Sequence, residues 1–416
     1  MTIAYRDDYR NRSDYKKEMH MQIPQRLKKG DTVAIISLSS GILGEPFMAQ
    51  QKSLIEKRIK AFGLRIIYTP HALKGLEFIK ANPKARAADL KWAFAQQEVK
   101  LILSAIGGDD TYQTVPYLLE DGTFKKLVSE NPKLFMGYSD TSINHLMFQK
   151  LGLATYYGPA AIVDFGEFAP DMLAYTEACI HHLFSDDAPE IVSSPTWYHE
   201  RTEFGPEAFG TDRQSSPETH GYEVLFGSGK ISGKLYGGCL ESLGELVLGG
   251  RYGDEAEVNK TYQLLCRDTH DKLLFLETSE EKPTPERVKL LLTALEKVDF
   301  FTHAKGLIVG KPQDEAYYDD YRSIYQALAE KYQLPLLYNV NFGHAHPKCI
   351  LPIGQTVDLD LDARTVKLVA PLARLYLVSL HEEIFPIDKL SVYTLIPHNF
   401  HEIVKMLIIV YNSLLT

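Results

Sequence analysis

The feature that most constrains this 416-residue chain is a repeated local pattern: a short apolar, β-branched run stops at glycine or serine and gives way to helical spacing. Residues 32–38 (TVAIISL) run into Ser39-Ser40-Gly41, and residues 100–106 (KLILSAI) run into Gly107-Gly108. Apolar runs of this length, bounded by turn residues, suit strands buried on both faces. Segments 65–68 and 133–136 read as further strands, and 46–62 and 85–97 carry the spacing of helices. Such alternation predicts an α/β fold with a parallel, helix-covered sheet, and such sheets bind ligands beyond the carboxyl ends of their strands.

Between residues 193 and 222 the periodicity lapses into a stretch rich in Ser, Pro, Gly, Thr and His. A connection this long without evident structure is usually functional or disordered. The pattern then resumes, with strands expected at 230–236, 272–276, 306–309 and 336–340 and helices at 285–298 and 320–331. The expected organisation is a polar leader (1–21), an N-terminal α/β domain (22–190), a connecting loop (191–225), a C-terminal α/β domain (226–370) and a tail (371–416). The tail gives no functional reading. Its apolar stretch 403–415 contains Lys405 and falls short of the roughly 20 residues of a membrane span, so it reads as a packed or amphipathic helix.

A net charge of -9 without a long Lys/Arg block offers no grip for nucleic acid or an anionic membrane, so a small substrate is expected. Cys179, Cys239, Cys266 and Cys349 form no CxxC pair, which fits neither a disulfide framework nor a four-thiolate zinc site. Reduced thiols and a polar N-terminus without an apolar signal core predict a cytoplasmic location, and no cofactor is expected.

Three segments can carry chemistry. In Phe135-Met136-Gly137-Tyr138-Ser139-Asp140-Thr141 a strand turns through glycine towards a helix with serine at the bend, as in a nucleophile elbow that faces the next backbone N–H to a developing oxyanion. A helix cap is the structural alternative. In Asn341-Phe342-Gly343-His344-Ala345-His346-Pro347 a histidine can act as a base near neutrality, or the HxH pair can bind metal, or both can be structural. Leu274-Phe275-Leu276-Glu277 ends a strand in a carboxylate, suited to orienting an imidazole and equally ordinary as a solvated strand end.

Taken in order, IGGDD, GYSD, YGGCLESL, LLFLETSEE and NFGHAHPKCILPIG resemble the successive motifs of the LD-carboxypeptidase family over about residues 23–368. The resemblance implies a flavodoxin-like N-terminal domain carrying the serine and a swivelling C-terminal α/β domain carrying the glutamate and histidine. By that carry-over Ser139 is nucleophile, Glu277 orients and His344 is the base. The backbone N–H groups of Gly108 and Asp140 form the oxyanion hole, and a homodimer is implied. One branch of the family trims peptidoglycan tetrapeptides; the other, the microcin C self-immunity branch, cleaves an aminoacyl-nucleotide amide. The His-Ala-His-Pro run and the loop carrying Trp197 and Tyr198 look more like the second, with aromatic rings over the adenine. Gly107, Trp197, Tyr198, Cys239 and Glu281 are the expected substrate contacts. Two of these depart from the family pattern: Cys239 stands where Gly-Gly-Asn-Leu is usual, and Glu281 stands where immunity proteins carry lysine, with Lys282 one step on. A metal-dependent hydrolase at the HxH pair and a non-catalytic nucleotide-binding protein are the competing readings.

Overall fold

The computed structural model describes residues 21–266 and 268–374. The leader up to residue 20, the tail from 375 and the helix expected at 403–415 lie outside the described residues. Five strands open the chain: β1 (Thr32–Ile36), β2 (Arg65–Tyr68), β3 (Val99–Ser104), β4 (Leu134–Gly137) and β5 (Thr155–Tyr157). Four shorter or peripheral ones follow: β6 (Glu190–Ile191), β7 (Thr196–Tyr198), β8 (Ser215–Pro217) and β9 (Glu223–Phe226). The rest are β10 (Lys230–Cys239), β11 (Lys272–Glu277), β12 (Gly306–Gly310), β13 (Leu336–Val340), β14 (Leu351–Ile353), β15 (Thr356–Asp360) and β16 (Thr365–Leu368).

The first sheet has the order β14-β5-β4-β3-β1-β2, and its five N-terminal strands are parallel. The second has eight strands in the order β6-β16-β15-β10-β11-β12-β13-β9, with a parallel centre and antiparallel flanks. The apolar runs occupy both centres because a parallel strand is covered on both faces; every residue of β1, β12 and β13 is buried. Phe135 of β4 packs on Phe148 of the helix Ser142–Lys150, with ring centroids 4.8 Å apart. A buried ring of this kind contributes about 3–5 kcal/mol, enough to fix the strand that leads into Ser139.

Two features run against the sequence expectation. The stretch 193–222 contains an ordered hairpin, in which Trp197 of β7 pairs with Ser216 of β8. Its far end is anchored by Arg201 and Arg213, whose guanidinium groups lie 2.6 and 2.8 Å from the buried carboxylate of Glu167. Charged anchors leave no apolar periodicity, which is why the segment reads as structureless. The second feature is β14, which leaves the second sheet and pairs antiparallel with β5 of the first, Leu351 opposite Tyr157. This crossing carries residues 341–350 over the end of the N-terminal sheet. Among the described residues no helix is long and apolar enough to cross a membrane.

Candidate active site

Ser139 follows β4 and opens a short 3-10 turn leading into the helix Ser142–Lys150. Its φ of 65° lies in the left-handed region, which costs a non-glycine residue about 1–3 kcal/mol and persists where surrounding structure enforces it. The enforcing contacts are visible. Ser139 N–H donates to the Tyr157 hydroxyl at 3.2 Å, and its carbonyl accepts from Ser142 Oγ at 2.7 Å. No side chain caps this turn, so Ser139 is not serving as a helix cap, and it is half-buried where its neighbours Tyr138 and Asp140 are buried.

The loop after β3 comes against this turn. A side-chain carbon at Gly107 would stand 2.7 Å from Ser139 Cβ and 3.4 Å from Asp140 N, so only glycine permits the approach. Gly108 is exposed beside it. The Asp140 carboxylate is buried and accepts from Ser39 Oγ at 2.7 Å and Thr111 N–H at 2.8 Å, tying the loops after β1 and β3 to the serine turn. Burial raises the Asp140 pKa, a change partly offset by the Arg251 guanidinium 3.8 Å away.

Glu277 ends β11 and is buried. It accepts from the Tyr157 hydroxyl at 2.5 Å, from His344 Nδ1 at 2.8 Å and from His344 N–H at 3.2 Å. A side chain at Gly343, whose φ is 83°, would collide with the Glu277 carboxyl at 2.4 Å, so the glycine before His344 is what lets the loop close over that carboxylate. Tyr157 therefore joins the Ser139 turn to Glu277, and Glu277 to His344, in one hydrogen-bonded chain spanning both sheets. The His344 ring also meets Tyr138 edge-on, with centroids 4.9 Å apart. Its Nε2 lies 3.0 Å from Glu280 Oε2, on a side chain that is 58% exposed. Burial alone would lower the His344 pKa, but the charges and hydrogen bonds of Glu277 and Glu280 outweigh it and raise it to about 10.

The remaining expected residues fall around this chain. Cys239 ends β10 directly opposite Glu277 in the parallel register, and its thiol reaches Glu241 Oε2 at 3.5 Å. Cys239, Glu277 and His344 are the one group of metal-ligating types that converges among the described residues, and His346 is not part of it. His346 is buried on the other side of the loop, with Nε2 3.6 Å from Glu200 Oε2. The β7–β8 hairpin docks here through Tyr198 N–H, which donates to the His346 carbonyl at 3.0 Å. Trp197, 6% exposed, packs against His199 and under the Lys311 ammonium, 5.1 Å from the ring centroid. Tyr198 is half-buried. Glu281 is exposed in the turn and does not pair with His344; its neighbour Glu280 does. All four cysteines are unpaired.

Tyr157 and Glu280 are absent from the residues singled out in the sequence. Tyr157 sits at a strand end of only three residues, and Glu280 lies in the same Glu277-Thr278-Ser279-Glu280-Glu281 run as the residue chosen instead.

Comparison with known proteins shows the family. Residues 33–158 match the LD-carboxypeptidase N-terminal domain and residues 232–359 the LD-carboxypeptidase C-terminal domain. The crystal structure of an MccF-like protein from Streptococcus pneumoniae in complex with AMP is 42% identical, covering 82% of this chain and 98% of that one, with a TM-score of 0.78. The microcin C7 self-immunity protein MccF of Escherichia coli is 27% identical over 84% of this chain and 96% of its own length. A Bacillus subtilis protein named "Probable murein peptide carboxypeptidase" is also 27% identical, over 83% of this chain and 94% of its own. With both domain models matched in order and a structural relative aligned along nearly its whole length, this chain belongs to the LD-carboxypeptidase family.

Proposed function

We propose that the chain is a serine carboxypeptidase that hydrolyses the amide bond of an aminoacyl-nucleotide, with Ser139 as nucleophile, His344 as general base and Glu277 as its orienting carboxylate. The observation that carries this reading is the continuous link Ser139–Tyr157–Glu277–His344, which holds a strained serine and a buried His–Glu pair in one frame. Ser139 Oγ attacks the carbonyl carbon as its proton passes to His344 Nε2. The oxyanion is received by the N–H groups of Gly108 and Asp140. Collapse of the tetrahedral intermediate breaks the C–N bond, and His344 returns the proton to the leaving nitrogen. Water then releases the acyl group by the same route. Glu277, fixed on Nδ1, keeps the proton there and stabilises the imidazolium. Glu280 occupies Nε2 in the free protein, so substrate entry must displace it before the base can act.

The nucleotide part of the reading draws on the AMP bound to the Streptococcus pneumoniae relative and on the aromatic hairpin beside His346. The murein-peptide relative supports a peptidoglycan tetrapeptide as the alternative substrate. Assaying the wild type and Ser139→Ala against an aminoacyl-sulfamoyl adenosine and a muropeptide tetrapeptide tests both. Ser139→Ala should lower turnover on the order of 10³-fold or more on the true substrate while the protein stays folded. Undiminished turnover in Ser139→Ala would remove the serine mechanism, and cleavage of the tetrapeptide alone would remove the nucleotide.

A further inference from the structure

Cys239 has no role in the hydrolytic scheme, yet it lies inside the catalytic frame. It pairs with Glu277 across β10 and β11, and the ligand atoms of Cys239, Glu277 and His344 all lie within 4.8 Å of one another, each buried. We propose that these three side chains form an inhibitory binding site for a thiophilic divalent cation of the zinc class.

The donor set is one sulfur, one imidazole nitrogen and one carboxylate oxygen, which suits a borderline-soft cation and not magnesium or calcium. Zinc bonds of about 2.0–2.3 Å would draw the three donors closer together than the 4.8 Å within which they now lie. The supporting contacts of a metal site are already in place. His344 meets Glu277 through Nδ1, while its other nitrogen is held by Glu280 at 3.0 Å, the arrangement that orients a ligating histidine. The Tyr157 hydroxyl fixes one oxygen of Glu277. The Cys239 thiol faces Glu241, itself fixed by Ser279 N–H at 2.9 Å. A thiolate and a carboxylate together match the charge of a dication.

Binding exchanges the proton between His344 Nδ1 and Glu277 for the cation and releases the thiol proton to solvent. The orienting hydrogen bond is lost, and hydrolysis stops. This consequence rests on the proposed triad, whereas the binding itself does not. The test is therefore read first without turnover. Full-length protein stripped with chelator is titrated with Co²⁺, and the thiolate-to-cobalt absorption is followed. The band should appear, be displaced by Zn²⁺ and be unaffected by Mg²⁺. In Cys239→Ser and Cys239→Asn, checked as folded by circular dichroism, it should vanish and zinc should bind on the order of 100-fold more weakly or worse, exceeding the loss typical of a supporting contact. Zinc should also inhibit wild-type hydrolysis reversibly. No band in the wild type, or a band surviving in either folded variant, overturns the site. A correct band without inhibition leaves the site standing and counts against the triad.

Discussion

His344 and His346 stand two residues apart in one buried loop, and their surroundings push them in opposite directions. Around His344 lie Glu277 and Glu280, and the ring is held protonated up to about 10 despite its burial. Around His346, burial comes first and the cations Lys348 and Arg213 add to it, so its pKa falls well below the ordinary histidine value. Neither ring nitrogen of His346 has a hydrogen-bond partner. Burial is common to both, so the sign of the neighbouring charges decides which ring can carry a proton. One side of the loop holds a protonated ring between two carboxylates, as the proposed triad requires of its base. The other is a neutral wall on which the β7–β8 hairpin rests.

Removing each ring in turn should separate the two histidines most sharply. His344→Ala should cost turnover on the order of 10³-fold or more, as removal of a triad base does, whereas His346→Ala should retain most of it. Steady-state kinetics on both variants decides the matter. Equal losses in both variants, together with wild-type turnover that a chelator abolishes, would instead make the two histidines partners in a metal site.

The next largest effect should come from Tyr157→Phe, which cuts the link between the Ser139 turn and Glu277 without removing a reacting group. A hydrogen bond to a charged group contributes about 1.5–3 kcal/mol, so turnover should fall roughly 10- to 100-fold if the link serves the transition state. A variant that loses thermal stability while keeping its turnover would reduce Tyr157 to a structural tie.

What the sequence reveals of this frame follows from how local each signal is. The runs 32–38 and 100–106 announce β1 and β3 because strands buried on both faces must be apolar throughout. Ser139 and Glu277 are legible as residues at strand ends for the same reason. Tyr157 is not, because its role comes from hydrogen bonds to Ser139 N–H and to the Glu277 carboxylate, the latter 120 residues away in the chain. Glu280 is hidden differently. Two further glutamates follow Glu277 within four residues, and only the turn geometry tells which of them reaches His344 Nε2. The hairpin escapes notice because Arg201, Arg213 and Glu167 hold it, not an apolar face.

Glu280→Gln tests the acidic side of His344. Glu280 raises the His344 pKa, so neutralising it must lower that pKa. The base form then becomes available at lower pH, and the acid limb of the kcat/KM profile should move down, with activity at neutral pH equal to or above the wild type. An unmoved limb would mean that Glu280 has already left His344 in the working enzyme.

The smallest expected effect lies on the His346 side. Consecutive strand residues face opposite ways, so Trp197 and Tyr198 cannot both turn the same face to a ligand. Trp197 is committed to His199 and Lys311, and Trp197→Ala should weaken both candidate substrates alike through lost packing. Tyr198 is half-buried, and its backbone sits on His346, in the loop that also carries His344. If the hairpin offers a ring to a nucleobase, Tyr198 is the residue with a face to give. At about 1–3 kcal/mol per stacked base, Tyr198→Ala should weaken aminoacyl-nucleotide hydrolysis roughly five-fold or more, through KM, and leave tetrapeptide cleavage and the pH profile unchanged. A selective loss in Trp197→Ala, with none in Tyr198→Ala, would show that the indole leaves its packing to meet the ligand and that the hairpin rearranges on binding.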